Sequence, residues 1–167
     1  AQLSLGQTIL SALGFAGNHL SLISPDDWRS LGGAVWSLQP AQPVAMPASF
    51  ALTAEKRTTL EFVIEHLLKH APVKPDQIAL PAGSPWGEVL LDKQTCTMCL
   101  SCVGACPESA LMDTPDFPRL RFLERNCVQC ELCVKTCPEG ALALAPRLLL
   151  TGDARRERTL NEAEPFN

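Results

Sequence analysis

The chain has 167 residues, a formal net charge of -4, 46% apolar residues and 19% charged ones. That composition belongs to a folded chain of one ordinary domain or two small ones and excludes a disordered one. The acidic balance argues against nucleic acid as a partner. No run approaches the roughly 18 consecutive apolar residues that a membrane span needs, so no span is expected.

Residues 3–17 are apolar enough to be weighed as a signal peptide. They have no positive leading region, since the first basic side chain other than His19 is Arg29, so a helix of the folded protein is expected instead. Leu3, Ile9, Leu10 and Leu13 give its apolar stripe, which stops near Gly14 and Gly17. Residues 19–24 alternate as a short strand would. Ser24 then offers an N-cap and Pro25 a first helical position. Asp26 and Asp27 suit the positive end of a helix that runs to about Leu38. Pro40, Pro43 and Pro47 mark an extended segment over residues 44–52. The strongest helix opens at Thr53, with Leu60, Val63, Ile64, Leu67 and Leu68 on one face and Glu61, Glu65 and Lys69 on the other.

Residues 1–70 therefore predict an α/β segment of Rossmann-like kind, with a small helical cap on the second domain as the competing reading. The α/β segment is incomplete, because two short strands rarely make a stable sheet. Its apolar helix surface must be covered by the rest of the chain or by self-association. Residues 71–86 hold four of the fourteen prolines and predict a linker. Residues 87–150 predict a second domain, and residues 151–167 a charged tail.

All eight cysteines lie between Cys96 and Cys137. A disulfide scaffold would spread its cysteines to staple distant loops, whereas two tight groups point to metal ligation in a reducing compartment, so a cytoplasmic location is expected. Cys96, Cys99, Cys102 and Cys106 recur at Cys127, Cys130, Cys133 and Cys137, each 31 residues on. The same offset relates Val103 to Val134, Pro107 to Pro138, Glu108 to Glu139, Ala110 to Ala141 and Leu111 to Leu142. Such a repeat predicts two copies of one unit about a pseudo-twofold axis, each a strand, a cysteine loop, a short helix and a second strand. The strands are expected at residues 89–91 and 110–113, and at 120–123 and 141–144.

Each half reads C-x2-C-x2-C-x3-C-P. Three thiolates at two-residue intervals on a tightly wound loop can face three corners of one cube, and the proline fits the first turn of a helix. A pair of zinc sites is the competing reading. Zinc, however, normally pairs two C-x2–4-C knuckles across a longer gap.

On these residues the segment over 85–150 resembles a bacterial 2 x 4Fe-4S ferredoxin. More narrowly, it resembles the ferredoxin segment of larger bacterial multi-cluster proteins. The narrower resemblance is carried by Pro81-Ala82-Gly83-Ser84-Pro85-Trp86-Gly87, Cys96-Thr97-Met98-Cys99, Asn126-Cys127-Val128-Gln129-Cys130 and Leu160-Asn161-Glu162-Ala163-Glu164-Pro165-Phe166. Those proteins are longer at both ends, so this chain, which starts at Ala1, reads as a piece of one. The rhythm of residues 1–70 also resembles, faintly, the delta-subunit domain of methyl-viologen-reducing hydrogenases. In the ferredoxin run the fourth cysteine ligates the other cluster. Carried over, that assigns Cys96, Cys99, Cys102 and Cys137 to one 4Fe-4S cluster, and Cys106, Cys127, Cys130 and Cys133 to the second. Glu131 departs from the resemblance, standing where many ferredoxins have glycine.

The expected fold is α+β: a ferredoxin-like module with two 4Fe-4S clusters, preceded by the α/β segment. The expected function is electron transfer with a redox protein as partner, and no catalytic residue. The alternatives are an oxidoreductase subunit whose α/β part helps bind a flavin or nucleotide, and a structural or assembly module. His66 and His70, four apart on one helix, lack a third ligand. Arg119, Arg121, Arg125 and Arg147 flank the cysteine motifs as solvated side chains or as guides for an acidic partner. Phe117 and Phe122 are expected in the core.

Overall fold

The structure, a computed structural model, describes residues 2–40, 43–51 and 53–163. It divides into two compact units, Ala1–Pro75 and Asp76–Asn167.

Among its described residues the first unit carries helices α1 (Gln2–Ala12), α2 (Trp28–Trp36) and α3 (Lys56–His70), and no strand. The α1 helix stops at Gly14, whose φ of 83° suits glycine. The Phe15 N–H reaches back to the Leu10 carbonyl at 3.1 Å and the Gly14 N–H to that of Ser11 at 3.0 Å, closing the helix end. A Cβ at Gly14 would also lie 2.8 Å from Val73, where the Val73 N–H donates to the Leu13 carbonyl. Ile9, Leu13 and Ala71 form this unit's small buried set.

The N-cap of α2 is Asp27, not Ser24. Its carboxylate accepts from the Ser30 N–H at 2.8 Å, and a charged cap at the positive helix end outweighs the upstream hydroxyl. Trp28, Leu31, Val35 and Trp36 on this helix are exposed. On α3, Val63, Ile64, Leu67 and Leu68 are half-buried, while Leu60 remains exposed.

The strands expected at 19–24 and 44–52 do not form among the described residues (Leu52 lies outside them). A strand needs a neighbour for its N–H and C=O groups, and neither run finds one. The α/β, Rossmann-like expectation for residues 1–70 is thus corrected to helices joined by irregular segments.

Among its described residues the second unit holds two antiparallel three-stranded sheets. One runs β1 (Gln77–Ala79), β5 (Leu142–Leu149), β2 (Gly87–Leu91), and the other β3 (Leu111–Met112), β4 (Arg119–Leu123), β6 (Glu157–Glu162). Short helices α4 (Ser101–Gly104) and α5 (Leu132–Thr136) follow the two cysteine loops.

The sequence repeat is also a register repeat. Leu91 pairs with Leu142 and Leu90 with Ala143. The same residues displaced by one repeat, Phe122 with Leu111 and Arg121 with Met112, pair in the other sheet. The Asp92 N–H donates to the Ala141 carbonyl at 2.9 Å and, one repeat away, the Leu123 N–H to that of Ala110 at 2.8 Å. Each sheet therefore takes one strand from each half, which interlocks the halves about a common core of Val89, Leu111, Leu120, Phe122 and Leu142.

Two stretches depart from expectation. Much of the expected linker 71–86 belongs to the second unit: Ile78 and Leu80 are buried, β1 pairs with β5, and the Ser84 hydroxyl donates to the Pro81 carbonyl at 2.6 Å. Proline here fixes a packed turn and does not mark flexible chain. The expected tail carries β6, whose charges meet partners across the sheet: Glu162 binds Arg119 at 3.0 Å, Glu157 binds Arg121, and Arg158 binds Glu88 on β2 at 2.8 Å. Residues 164–167 lie outside the described residues. Among the described residues no helix is long and apolar enough to cross a membrane.

Candidate metal centre

The cysteine loops are wound by left-handed residues. Met98 (φ 57°) and Leu100 (φ 59°) flank Cys99, and their repeat counterparts Gln129 (56°) and Glu131 (65°) flank Cys130. Ser109 (50°) and Gly140 (61°) repeat the match just beyond the fourth cysteines. Non-glycine residues hold this conformation at a cost of roughly 1–2 kcal/mol each, and clustered strain of this kind marks functional sites. Here it curls each loop tightly enough that its three thiols line one cavity.

One cavity is lined by Cys96, Cys99, Cys102 and Cys137, with Leu91, Leu120 and Leu142 among its apolar walls. The other is lined by Cys106, Cys127, Cys130 and Cys133, with Val89, Leu111 and Leu144. Each fourth cysteine thus lines the cavity of the opposite loop. Both fourth thiols accept a backbone N–H four residues on, Cys106 from Ala110 at 3.2 Å and Cys137 from Ala141 at 3.4 Å. Cys102, Cys127 and Cys133 are buried, while Cys99 and Cys130 reach the surface.

Burial pushes the Cys102 and Cys133 thiols up to about 11, and the neighbouring thiols add to the rise. A metal that binds there must displace those protons. Cys99 lies below the usual thiol value because of its hydrogen bonding with Ser101.

The donor set fits a cluster. Four sulfurs and a mostly apolar wall suit iron–sulfur chemistry.

The remaining sequence candidates are engaged elsewhere. The Nε2 of His66 lies 2.9 Å from the Met46 carbonyl, and the His66 and His70 rings pack on each other. Arg119 and Arg121 are paired across β4 and β6, Arg147 is paired inside the second unit, and Arg125 is also engaged. Phe122 is fully buried, and Phe117 packs under the Arg119 guanidinium.

Glu131 tests the departure noted in the sequence. Its left-handed backbone is the conformation glycine adopts freely, and its side chain makes an exposed ion pair with Lys135 at 3.1 Å, which contributes little. Glu131→Gly is therefore expected to stabilise the second unit, by under about 1 kcal/mol once glycine's greater unfolded entropy is subtracted. Anaerobic urea unfolding of the full chain measures it, and a lower midpoint would contradict the strain argument.

Residues 95–141 match the family model of a 4Fe-4S dicluster domain. No curated protein matches the chain. The match supports 4Fe-4S clusters as the cofactor of this segment.

Proposed function

We propose that the chain holds two 4Fe-4S clusters and relays single electrons between a redox enzyme and another carrier. The observation that carries this reading is the pair of four-thiol cavities. Each draws three cysteines from one loop and the fourth from the other, in a segment that matches a 4Fe-4S dicluster domain. Cys96, Cys99, Cys102 and Cys137 would hold one cluster, and Cys106, Cys127, Cys130 and Cys133 the other.

When bound, each cluster supplies storage for one electron. The chain's own residues do the rest. The apolar walls exclude water. The Ala110 and Ala141 N–H groups favour the more negative state by donating to thiolate sulfur. The surface cysteines Cys99 and Cys130 offer an edge of each cluster to a partner. Four thiolates satisfy four irons, so no coordination position is left for a substrate. That favours transfer over catalysis.

Anaerobically purified chain is expected to contain about eight iron and eight sulfide, from two clusters of four each. It should also take up and release electrons reversibly. About two zinc per chain and no sulfide would end this reading.

A further inference from the structure

The two halves match in spacing, register and backbone winding, so their differences show where the sites are tuned apart. The clearest lies between Gln129 and its repeat counterpart Met98, each the second residue after its loop's first cysteine. The Gln129 Nε2 lies 3.3 Å from the Cys127 Sγ and 3.3 Å from the Glu88 carbonyl. Both neighbours are acceptors, so the amide must present its N–H2 to them. Its Oε1 is buried without a partner.

The side chain lies in a slot that Gly87 leaves open. A Cβ there would come within 2.7 Å of the Gln129 amide and 2.5 Å of the Ala145 carbonyl oxygen. The repeat counterpart of Gly87 is Pro118, and Met98 has no N–H to donate. An unsatisfied Oε1 and a position that only glycine permits are together a cost that packing alone does not explain.

We infer that Gln129 is a tuning residue: its amide N–H, donated to the Cys127 thiolate, raises the potential of the Cys106, Cys127, Cys130 and Cys133 cluster above that of its twin. This inference rests on the cluster reading above. A donor to ligand sulfur stabilises the more negative, reduced state. An electron shared between the two sites then rests on the Gln129 side. No bond forms or breaks and no proton moves. The electron comes from one redox protein and leaves to another.

Other differences are smaller. The Ser101 hydroxyl lies 3.4 Å from Cys99, where the other half has Leu132, but Cys99 is at the surface and water competes for it. Cys127 is 7% exposed, so a donor there acts with little screening. The carboxylates Glu108 and Glu139 are repeat counterparts and line opposite cavities, so they cancel. Glu131 is neutralised by Lys135.

The test uses the full chain with both clusters loaded. Gln129→Met, which copies the other half, and Gln129→Leu, which removes the donor without adding a charge, should each retain the iron and sulfide of the parent. Each should shift only the Cys127-side cluster to lower potential. In a half-reduced sample the ratio of reduced clusters, read by EPR, should move about tenfold toward the other site, equivalent to 59 mV for a one-electron couple. Loaded variants with unchanged potentials, or with both clusters shifted equally, would overturn the inference. If the parent holds no iron–sulfur at all, it is the cluster reading that fails. Where a variant does not load, the parent chain decides. Gln129 is the one glutamine lining either cavity among the described residues. With glutamine labelled by 15N in its side chain, pulsed EPR of the reduced protein should show a nitrogen coupling on the Cys127-side cluster. Its absence would count against the assignment.

Discussion

Cys137→Ala is expected to remove the cluster on the side of Cys96, Cys99 and Cys102 and to spare the one beside its own loop. Iron should fall from about eight to about four per chain, since one complete cluster is lost. The reason is geometric: the Cys137 thiol lines the cavity of the first loop, although it lies next to Cys133 in the chain. Cys106→Ala should give the mirror result, with the Cys127 side lost. Loss of the Cys127-side signal in Cys137→Ala would mean that each loop ligates its own cluster. Modules of this size draw folding free energy from their metal, so the surviving signal must be read by EPR on protein that still unfolds cooperatively. Cys137→Ser offers a ligand oxygen in the same place and should weaken the same cluster without removing it.

The second unit was legible in the sequence because two constraints coincide there. Ligand spacing fixes the loops, and the 31-residue offset fixes which strands must be equivalent; the observed pairs Leu91–Leu142 and Leu111–Phe122 follow from both. The strands beyond the repeat had no such support. Strand β1 lies in proline-rich text that reads as linker, and β6 carries alternating charges that read as a solvated tail until Arg119 and Arg121 are seen beside them. The N-terminal unit was misread for a different reason. A short apolar run such as residues 19–24 carries the period of a strand, but a strand also needs a neighbour, and local sequence does not record one. Gln129 was present in the text as one half of an unequal pair with Met98. What gave it meaning was the open slot at Gly87, 42 residues away in sequence.

The least legible feature is a charge network, and it underlies the other large effect: Arg147→Met is expected to destabilise the second unit by about 3–5 kcal/mol, the usual cost of stranding a buried charge. Arg147 on β5 donates through Nε and Nη2 to both carboxylate oxygens of Glu124, at 2.9 and 2.7 Å. Its Nη1 meets Glu88 on β2 at 2.8 Å. The Glu124 side chain is only 8% exposed, so without Arg147 its charge stays largely out of water and loses the two guanidinium N–H groups that pair it. Glu88 is better protected, because Arg158 still holds its other oxygen at 2.8 Å. Glu88→Gln should therefore cost much less, on the order of 1 kcal/mol. Its partners Glu124 and Glu88 lie 23 and 59 residues away in sequence, which is why Arg147 read from sequence as a surface cation. Replacing both members, Glu124→Leu with Arg147→Met, removes the stranded charge along with the pair and should recover most of the loss. The damage should also be local. The Cys127 N–H donates to the Glu124 carbonyl at 3.0 Å, so a displaced Glu124 loosens the entry to the second cysteine loop. Arg147→Met should then release iron to a chelator from the Cys127-side cluster first. A single variant that loses less than about 1 kcal/mol in anaerobic denaturation, or that releases both clusters at one rate, would show that the network is no more than a surface ion pair.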